Sequence, residues 1–126
     1  MKYALIGKSI LHSRSPELYR QIFPEDIEYD LIDVPTEADL PPLADLAGLY
    51  NGINITSPYK RSYYSSVIIR EPEVRELGAI NTIAFTDKGC FGTNTDLHAV
   101  EYILRKFTEQ FPKLHLIILG SGVMGN

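Results

Sequence analysis

The sequence predicts an α/β fold, a three-layer arrangement around a mostly parallel sheet that carries one hairpin. Three observations support this. Short apolar or alternating runs, Tyr3 to Ile6, Ile27 to Val34 and Ile53 to Thr56, are separated by segments with helix-start residues and helical spacing, the succession that builds parallel strands joined by helices. A β-branched run from Ala79 to Thr86 is followed by Asp87-Lys88-Gly89 and a second extended run, Cys90 to Thr93, which is a hairpin pattern. Finally, the apolar run Leu114 to Leu119 passes directly into Gly120-Ser121-Gly122-Val123-Met124-Gly125, a strand leading into a glycine-rich loop.

Taken in order, Tyr3 to Ile6 is a buried strand closed by Gly7. Ser15 is placed to cap a helix that has Pro16 at its first position and Glu17 in its first turn. Leu18, Tyr19 and Ile22 fall on one stripe of that helix, and Pro24 stops it. Ile27 to Val34 is the second strand, ended by Pro35. Asp39 with Pro41 and Pro42 suggests another capped start, after which Leu43, Leu46 and Leu49 recur at helical spacing. The third strand ends in Asn54-Ile55-Thr56-Ser57-Pro58-Tyr59-Lys60, where Pro58 breaks the ladder and delivers a lysine at the strand's C-terminal mouth. Tyr59 to Ile69 reads as a helix rich in Ser and β-branched residues, interrupted by Pro72 and resumed over Val74 to Leu77. The last helix begins near Thr95 or Asp96, and Leu97, Val100, Ile103, Leu104, Phe107 and Phe111 give it the clearest amphipathic pattern in the chain.

Composition narrows the function. At 126 residues the chain holds one complete domain at most. With 44% hydrophobic and 22% charged residues it has the make-up of a soluble globular protein. A net charge of −4 without a run of Lys or Arg supplies no footprint for nucleic acid or an anionic membrane surface. Cys90 stands alone, so it forms no internal disulfide, lacks partners at metal-ligand spacing and fits a reducing cytoplasm. The apolar run near the N-terminus is too short for a signal sequence or a membrane span.

A GxGxxG loop is a weak signal alone, but here it follows an apolar strand, which is half of the dinucleotide-binding context. In a working site Gly120 allows the tight turn, Gly122 lets the backbone approach a pyrophosphate, and Gly125 lets a following helix pack on the strand. That helix is missing from the sequence. The chain is therefore expected to be the front of a longer protein: residues 1–96 a substrate-binding catalytic domain, 97–112 a linking helix, and 113–126 the first strand and Gly-rich loop of a truncated NAD(P)-binding Rossmann domain.

Four polar clusters fall at element ends: Ser13 and Ser15; Asn54, Thr56 and Lys60; Asn81 and Thr82; Asn94, Thr95 and Asp96. In an open α/β sheet such ends converge on one crevice. Singly each has a plain structural account, Ser15 and Asp96 as helix caps, Asn81 as a turn residue, Lys60 as a solvated lysine. Their joint order is the stronger signal. Ser13-Arg14-Ser15-Pro16, then Asn54 to Lys60, then Gly78-Ala79-Ile80-Asn81-Thr82, then Asn94-Thr95-Asp96, then the Gly-rich loop, resembles the shikimate dehydrogenase family over the whole chain.

The resemblance implies reversible, NADPH-dependent reduction of 3-dehydroshikimate to shikimate, a step toward chorismate and the aromatic amino acids, with NAD as the alternative carrier. It implies Ser13 and Ser15 as ligands of the substrate carboxylate, and Asn54, Thr56 and Asn81 as partners of the ring hydroxyls or of the other site side chains. Lys60 and Asp96 become the catalytic pair, both also touching substrate, with Gly120, Gly122 and Gly125 holding the cofactor. It further implies that distant C-terminal helices help to cover this domain, so that a homodimer or self-association is one way for the chain alone to cover an apolar face.

The chemistry gives independent support. Hydride transfer from a secondary alcohol requires a group that takes the hydroxyl proton. A lysine serves when burial eases its deprotonation, whereas a neighbouring carboxylate opposes that and orients the ammonium instead. Two departures bear on pocket shape: Leu97 stands where the family usually has Gly, and Val123 where a small residue is common. They leave shikimate against quinate open, and a catalytically silent shikimate- or quinate-binding regulator is the alternative of another class.

Overall fold

A computed structural model describes residues 1–23 and 26–119. Five strands form one sheet: β1 (Lys2–Gly7), β2 (Glu28–Asp33), β3 (Gly52–Ile55), β4 (Thr82–Thr86) and β5 (Gly89–Thr93), in spatial order β2-β1-β3-β4-β5. The central β1 is parallel to both β2 and β3, in register Leu5 to Leu31 and Leu5 to Asn54. The hairpin β4-β5 continues the sheet antiparallel. The sheet is thus mixed, its parallel half being β2-β1-β3.

Four helices, α1 (Ser15–Ile22), α2 (Leu43–Leu49), α3 (Pro72–Leu77) and α4 (Thr95–Gln110), complete the described elements of length. Alternation along the strands divides the side chains between two faces. Ala4, Ile6, Ile53, Ile55 and Ile83 join Leu46 of α2 and Val74 of α3 in the larger core. On the other face Leu5 and Tyr29, with Tyr3 and Leu31 beside them, pack against Tyr19 of α1. The result is the expected three layers.

Several local expectations change. Ser15 is the first residue of α1 rather than its cap; Arg14 holds the cap position, and no side chain caps the helix. Ser15 instead meets Ser13, as described below. The expected stripe on α1 reduces to Tyr19, because Leu18 and Ile22 lie exposed. Asp39 closes a 3-10 turn (Glu37–Asp39), accepting from the Thr36 hydroxyl at 2.6 Å, and α2 starts after Pro42 without a side-chain cap.

Tyr59 to Ile69 is not an α-helix but a series of turns with one 3-10 segment (Tyr64–Ser66). Its tyrosines are tied to carbonyls elsewhere: Tyr59 donates to Val34 O at 2.7 Å, Tyr63 to Pro41 O at 2.7 Å and Tyr64 to Arg75 O at 2.9 Å. Such long-range anchors outweigh the weak local helix preference of a Ser-rich, β-branched stretch. The segment ends in a parallel bridge of Ile68 to Phe91, in which Ile68 N donates to Cys90 O and Gly92 N to Ile68 O, both at 2.9 Å. Pro72 begins α3 rather than interrupting it, and Gly78 ends it in the left-handed region at φ +66°.

Of the apolar stripe of α4, Leu97 packs against the larger core, whereas Val100, Ile103, Phe107 and Phe111 are exposed. Leu114 to Leu119 pairs with no described strand. A strand is defined by its ladder, and this apolar run has no neighbour to pair with here. Gly120, Gly122 and Gly125 lie outside the described residues.

Candidate functional site

The chain direction of each strand brings the polar clusters to one rim. The C-terminal ends of β1 and β3, the start of the antiparallel β4 and the end of β5 all meet there. A cavity of about 310 Å³ at this rim is lined by Ser15, Tyr19, Asn54, Thr56, Lys60, Asn81 and Asp96, with Leu5 and Ile55. Ser13 does not line it but donates to Ser15 Oγ at 3.1 Å, and its Oγ accepts from Ser15 N at 3.2 Å. A larger groove of about 500 Å³ is lined by Arg61, Glu73, Glu76, Leu77 and Leu97 and by none of the cluster residues.

At the cavity mouth Lys60 Nζ lies 2.5 Å from Asp96 Oδ2, with 18% of the lysine side chain and 43% of the aspartate exposed. An ammonium so close to a carboxylate is held by a charge-assisted hydrogen bond, short by the standards of such pairs. Backbone contacts fix both ends. Ile80 N donates to Lys60 O at 2.8 Å, tying the turn after β3 to the approach to β4. Asp96 sits in the first turn of α4, which is capped by the fully buried Asn94: its Oδ1 accepts from Leu97 N at 3.2 Å and its Nδ2 donates to Ala79 O at 3.1 Å. Thr56 is fixed by Thr56 N donating to Ile6 O at 2.9 Å. It also packs so tightly on Gly7 that a Cβ there would collide with Thr56 Cγ2 and Ile10 Cγ2.

The two asparagines belong to one hydrogen-bonded chain. Tyr19 and Tyr29 both donate to Asn54 Oδ1 at 2.8 Å, and Asn54 Nδ2 donates to Thr82 Oγ1 at 3.1 Å. Thr82 in turn donates to Asn81 Oδ1 at 3.0 Å, which also accepts from Thr95 N at 2.9 Å; Asn81 Nδ2 donates to Thr95 Oγ1 at 2.9 Å. Burial pushes the Tyr29 phenol above its ordinary pKa, the neighbouring Tyr19 adds to the rise, and Ser15 partly opposes it. Tyr29 is therefore a neutral donor over the physiological range.

Sequence reasoning missed Tyr19 and Tyr29 as parts of this site and took Asn94 only as one of a polar cluster. The signal for Tyr29 was its place on β2 in register with Tyr3, on the face shared with Leu5 and Asn54. Among the described residues no group of three or more His, Cys, Asp or Glu could hold a metal ion, and no helix is long and apolar enough to cross a membrane.

Residues 5–83 match the family model for the shikimate dehydrogenase substrate binding domain. The chain belongs to this family. Among shikimate dehydrogenase relatives, one named shikimate dehydrogenase (NADP(+)) from Methylobacillus flagellatus is 32% identical, over 96% of this chain and 47% of its own length. The solved shikimate 5-dehydrogenase of Thermus thermophilus, in complex with NADP(H) and shikimate, superposes with a TM-score of 0.73 at 27% identity. That match covers 84% of this chain and 42% of that one. A chorismate mutase/shikimate 5-dehydrogenase fusion protein from Clostridium acetobutylicum gives 0.72 at 31% identity, covering 84% and 40%. The chain spans about half the length of the curated shikimate dehydrogenases it matches.

Proposed function

We propose that this chain is the substrate-binding part of an NADP-dependent shikimate dehydrogenase, which interconverts shikimate and 3-dehydroshikimate in the cytoplasm. The observation that carries the reading is the Lys60–Asp96 pair at the mouth of a cavity walled by serine, threonine and asparagine side chains. Support for the activity comes from relatives named shikimate dehydrogenase (NADP(+)) and from the Thermus thermophilus structure described with NADP(H) and shikimate.

In this reading Ser15, with Ser13 orienting it, donates to the substrate carboxylate. Asn54, Thr56 and Asn81 hold ring hydroxyls. Lys60 takes the proton from the reacting hydroxyl as the alcohol is oxidised and returns it on reduction, while Asp96 orients the ammonium and accepts a substrate O–H. Bound NADP supplies the hydride acceptor and donor. Its phosphates fall to Gly120, Gly122 and Gly125 in a nucleotide-binding part beginning near residue 113, with residues 97–112 as the link. The partial exposure of Asp96 leaves the pair reachable from the open side of the cavity, which fits a hydride carrier docking there.

The test is NADP reduction with shikimate by the complete protein, with quinate and NAD as comparison substrates. Turnover lost on Lys60→Ala supports the assignment. Shikimate binding without any turnover by the unaltered protein replaces it with a regulatory binding role.

A further inference from the structure

The hydrogen-bond directions around Asn54 and Asn81 can be deduced from one unambiguous donor. A backbone N–H only donates, so the 2.9 Å contact from Thr95 N fixes the oxygen of Asn81 and turns its Nδ2 away. Thr82 Oγ1 lies 3.0 Å from that same oxygen, so the single Thr82 proton is spent there. Thr82 can then only accept from Asn54, which sets the Asn54 amide with Nδ2 toward Thr82 and Oδ1 toward Tyr19 and Tyr29. Both phenols must therefore donate.

These directions limit what the cavity can offer. An amide oxygen has two lone pairs, and on Asn54 both are occupied by the phenols. On Asn81 they are taken up by Thr95 N and Thr82, with the Thr95 hydroxyl a third donor at 3.2 Å. Each Nδ2 has spent one of its two protons, on Thr82 and Thr95 respectively. What the two asparagines have left to offer a ligand is N–H alone. Lys60 adds further donors, and Asp96 is the carboxylate acceptor at the mouth.

Resting on the function proposed above, we propose that Tyr19 and Tyr29 are positioning residues that lock Asn54 as a donor, so that this part of the cavity selects a ligand oxygen that accepts. A ring hydroxyl or ketone satisfies it. A ring ammonium, which has protons but no lone pair, leaves the Asn54 N–H facing a donor, and a buried polar group without a partner is costly.

The experiment measures shikimate and a ring-ammonium analogue, with amine in place of one hydroxyl, in the complete protein and in its Tyr19→Phe, Tyr29→Phe and double Phe variants. Each phenol removed frees a lone pair on Asn54 and permits its amide to turn. The double variant is expected to raise KM for shikimate about fivefold, with a smaller change in kcat, and to narrow the preference for shikimate over the analogue by about tenfold, the scale of one buried hydrogen bond. A loss of packing alone weakens both ligands equally, so an unchanged preference overturns the inference. A measurement on the unaltered protein guards against unfolded variants: the Tyr19 and Tyr29 hydroxyl protons should be visible by NMR as slowly exchanging donors, and fast exchange at both sites also overturns it. Lys60→Ala and Ser15→Ala separate the two levels of the argument. If Lys60→Ala removes turnover and Ser15→Ala weakens shikimate binding while the Phe variants keep the full preference, only the polarity inference fails; if neither substitution changes turnover or binding, the function fails and the inference with it.

Discussion

Replacing Asn94 by Ala should destabilise the domain more than any other polar substitution near the site. Asn94 is fully buried, and it makes two bonds with different consequences. Its Oδ1 caps α4 through Leu97 N, a contribution of about 1 kcal/mol for an Asn cap. Its Nδ2 satisfies the carbonyl of the fully buried Ala79, and an acceptor stranded in the interior costs about 1–3 kcal/mol. Together these give about 2–4 kcal/mol. With a urea slope of about 1.5 kcal/mol per M, the unfolding midpoint followed by circular dichroism should fall by roughly 1.3–2.7 M. Asn94→Ser keeps a hydroxyl acceptor for the cap but does not reach Ala79, so it should recover about 1 kcal/mol of the loss. A midpoint that moves by less than about 0.5 M in the Ala variant refutes the reasoning, since it would mean that water or a local shift replaces both bonds.

Other expectations concern the site and its supports. Lys60→Ala in the complete protein should lower kcat about 10²-fold or more, read in steady-state NADP reduction; a near-normal kcat leaves Lys60 as a binding residue only. Ser15→Ala should act mainly on KM, because a hydroxyl bound to a carboxylate is used alike in ground and transition states, and a selective loss of kcat contradicts that. Gly7→Ala places a methyl against Thr56 Cγ2 and Ile10 Cγ2, and thermal or urea unfolding should report a loss of about 1–3 kcal/mol, with a variant as stable as the parent arguing that the two side chains yield freely. Burial pushes the Tyr63 phenol from 10.0 up to about 12. The fold holds that proton more tightly than the unfolded chain does, so its contribution is complete below about pH 10 and is lost as pH rises through about 12. Alkaline titration should show tyrosinate absorbance and loss of helical signal rising together over that range; ionisation of every tyrosine near pH 10 with the fold intact would contradict it.

The sheet was legible because its signals are local. Alternation in Ile27 to Val34, the Asp87-Lys88-Gly89 turn and the Asn54 to Pro58 strand end each prescribe backbone geometry from neighbours in sequence. The rim on which Lys60 and Asp96 meet followed from strand ends, before any distance was known. Where long-range bonds decide the outcome, the sequence is silent. Tyr59, Tyr63 and Tyr64 hold their segment out of a helix by reaching carbonyls at least eleven residues away. Tyr19 read as a packing residue because nothing local distinguishes a buried phenol that packs from one that donates to Asn54, thirty-five residues on. Leu114 to Leu119 shows the converse: strong strand preference in the residues produces no ladder without a partner strand.

The bridge at Ile68 has a bearing on solution behaviour. A sheet with two open sides invites other chains to add strands, and hairpin strands such as β5 are natural templates. Here a single residue occupies Cys90 O and Gly92 N, the outward-facing groups in the middle of β5. At the opposite side β2 presents Glu28, Asp30 and Asp33, the first two drawn to Lys2 at 3.5 and 3.2 Å. A strand approaching β5 meets a bridge already made at its middle, and one approaching β2 meets a row of carboxylates, two of them held by Lys2. Assembly of this chain into fibrils by lateral strand addition is thereby obstructed at both borders, and association is steered toward its apolar helical surfaces.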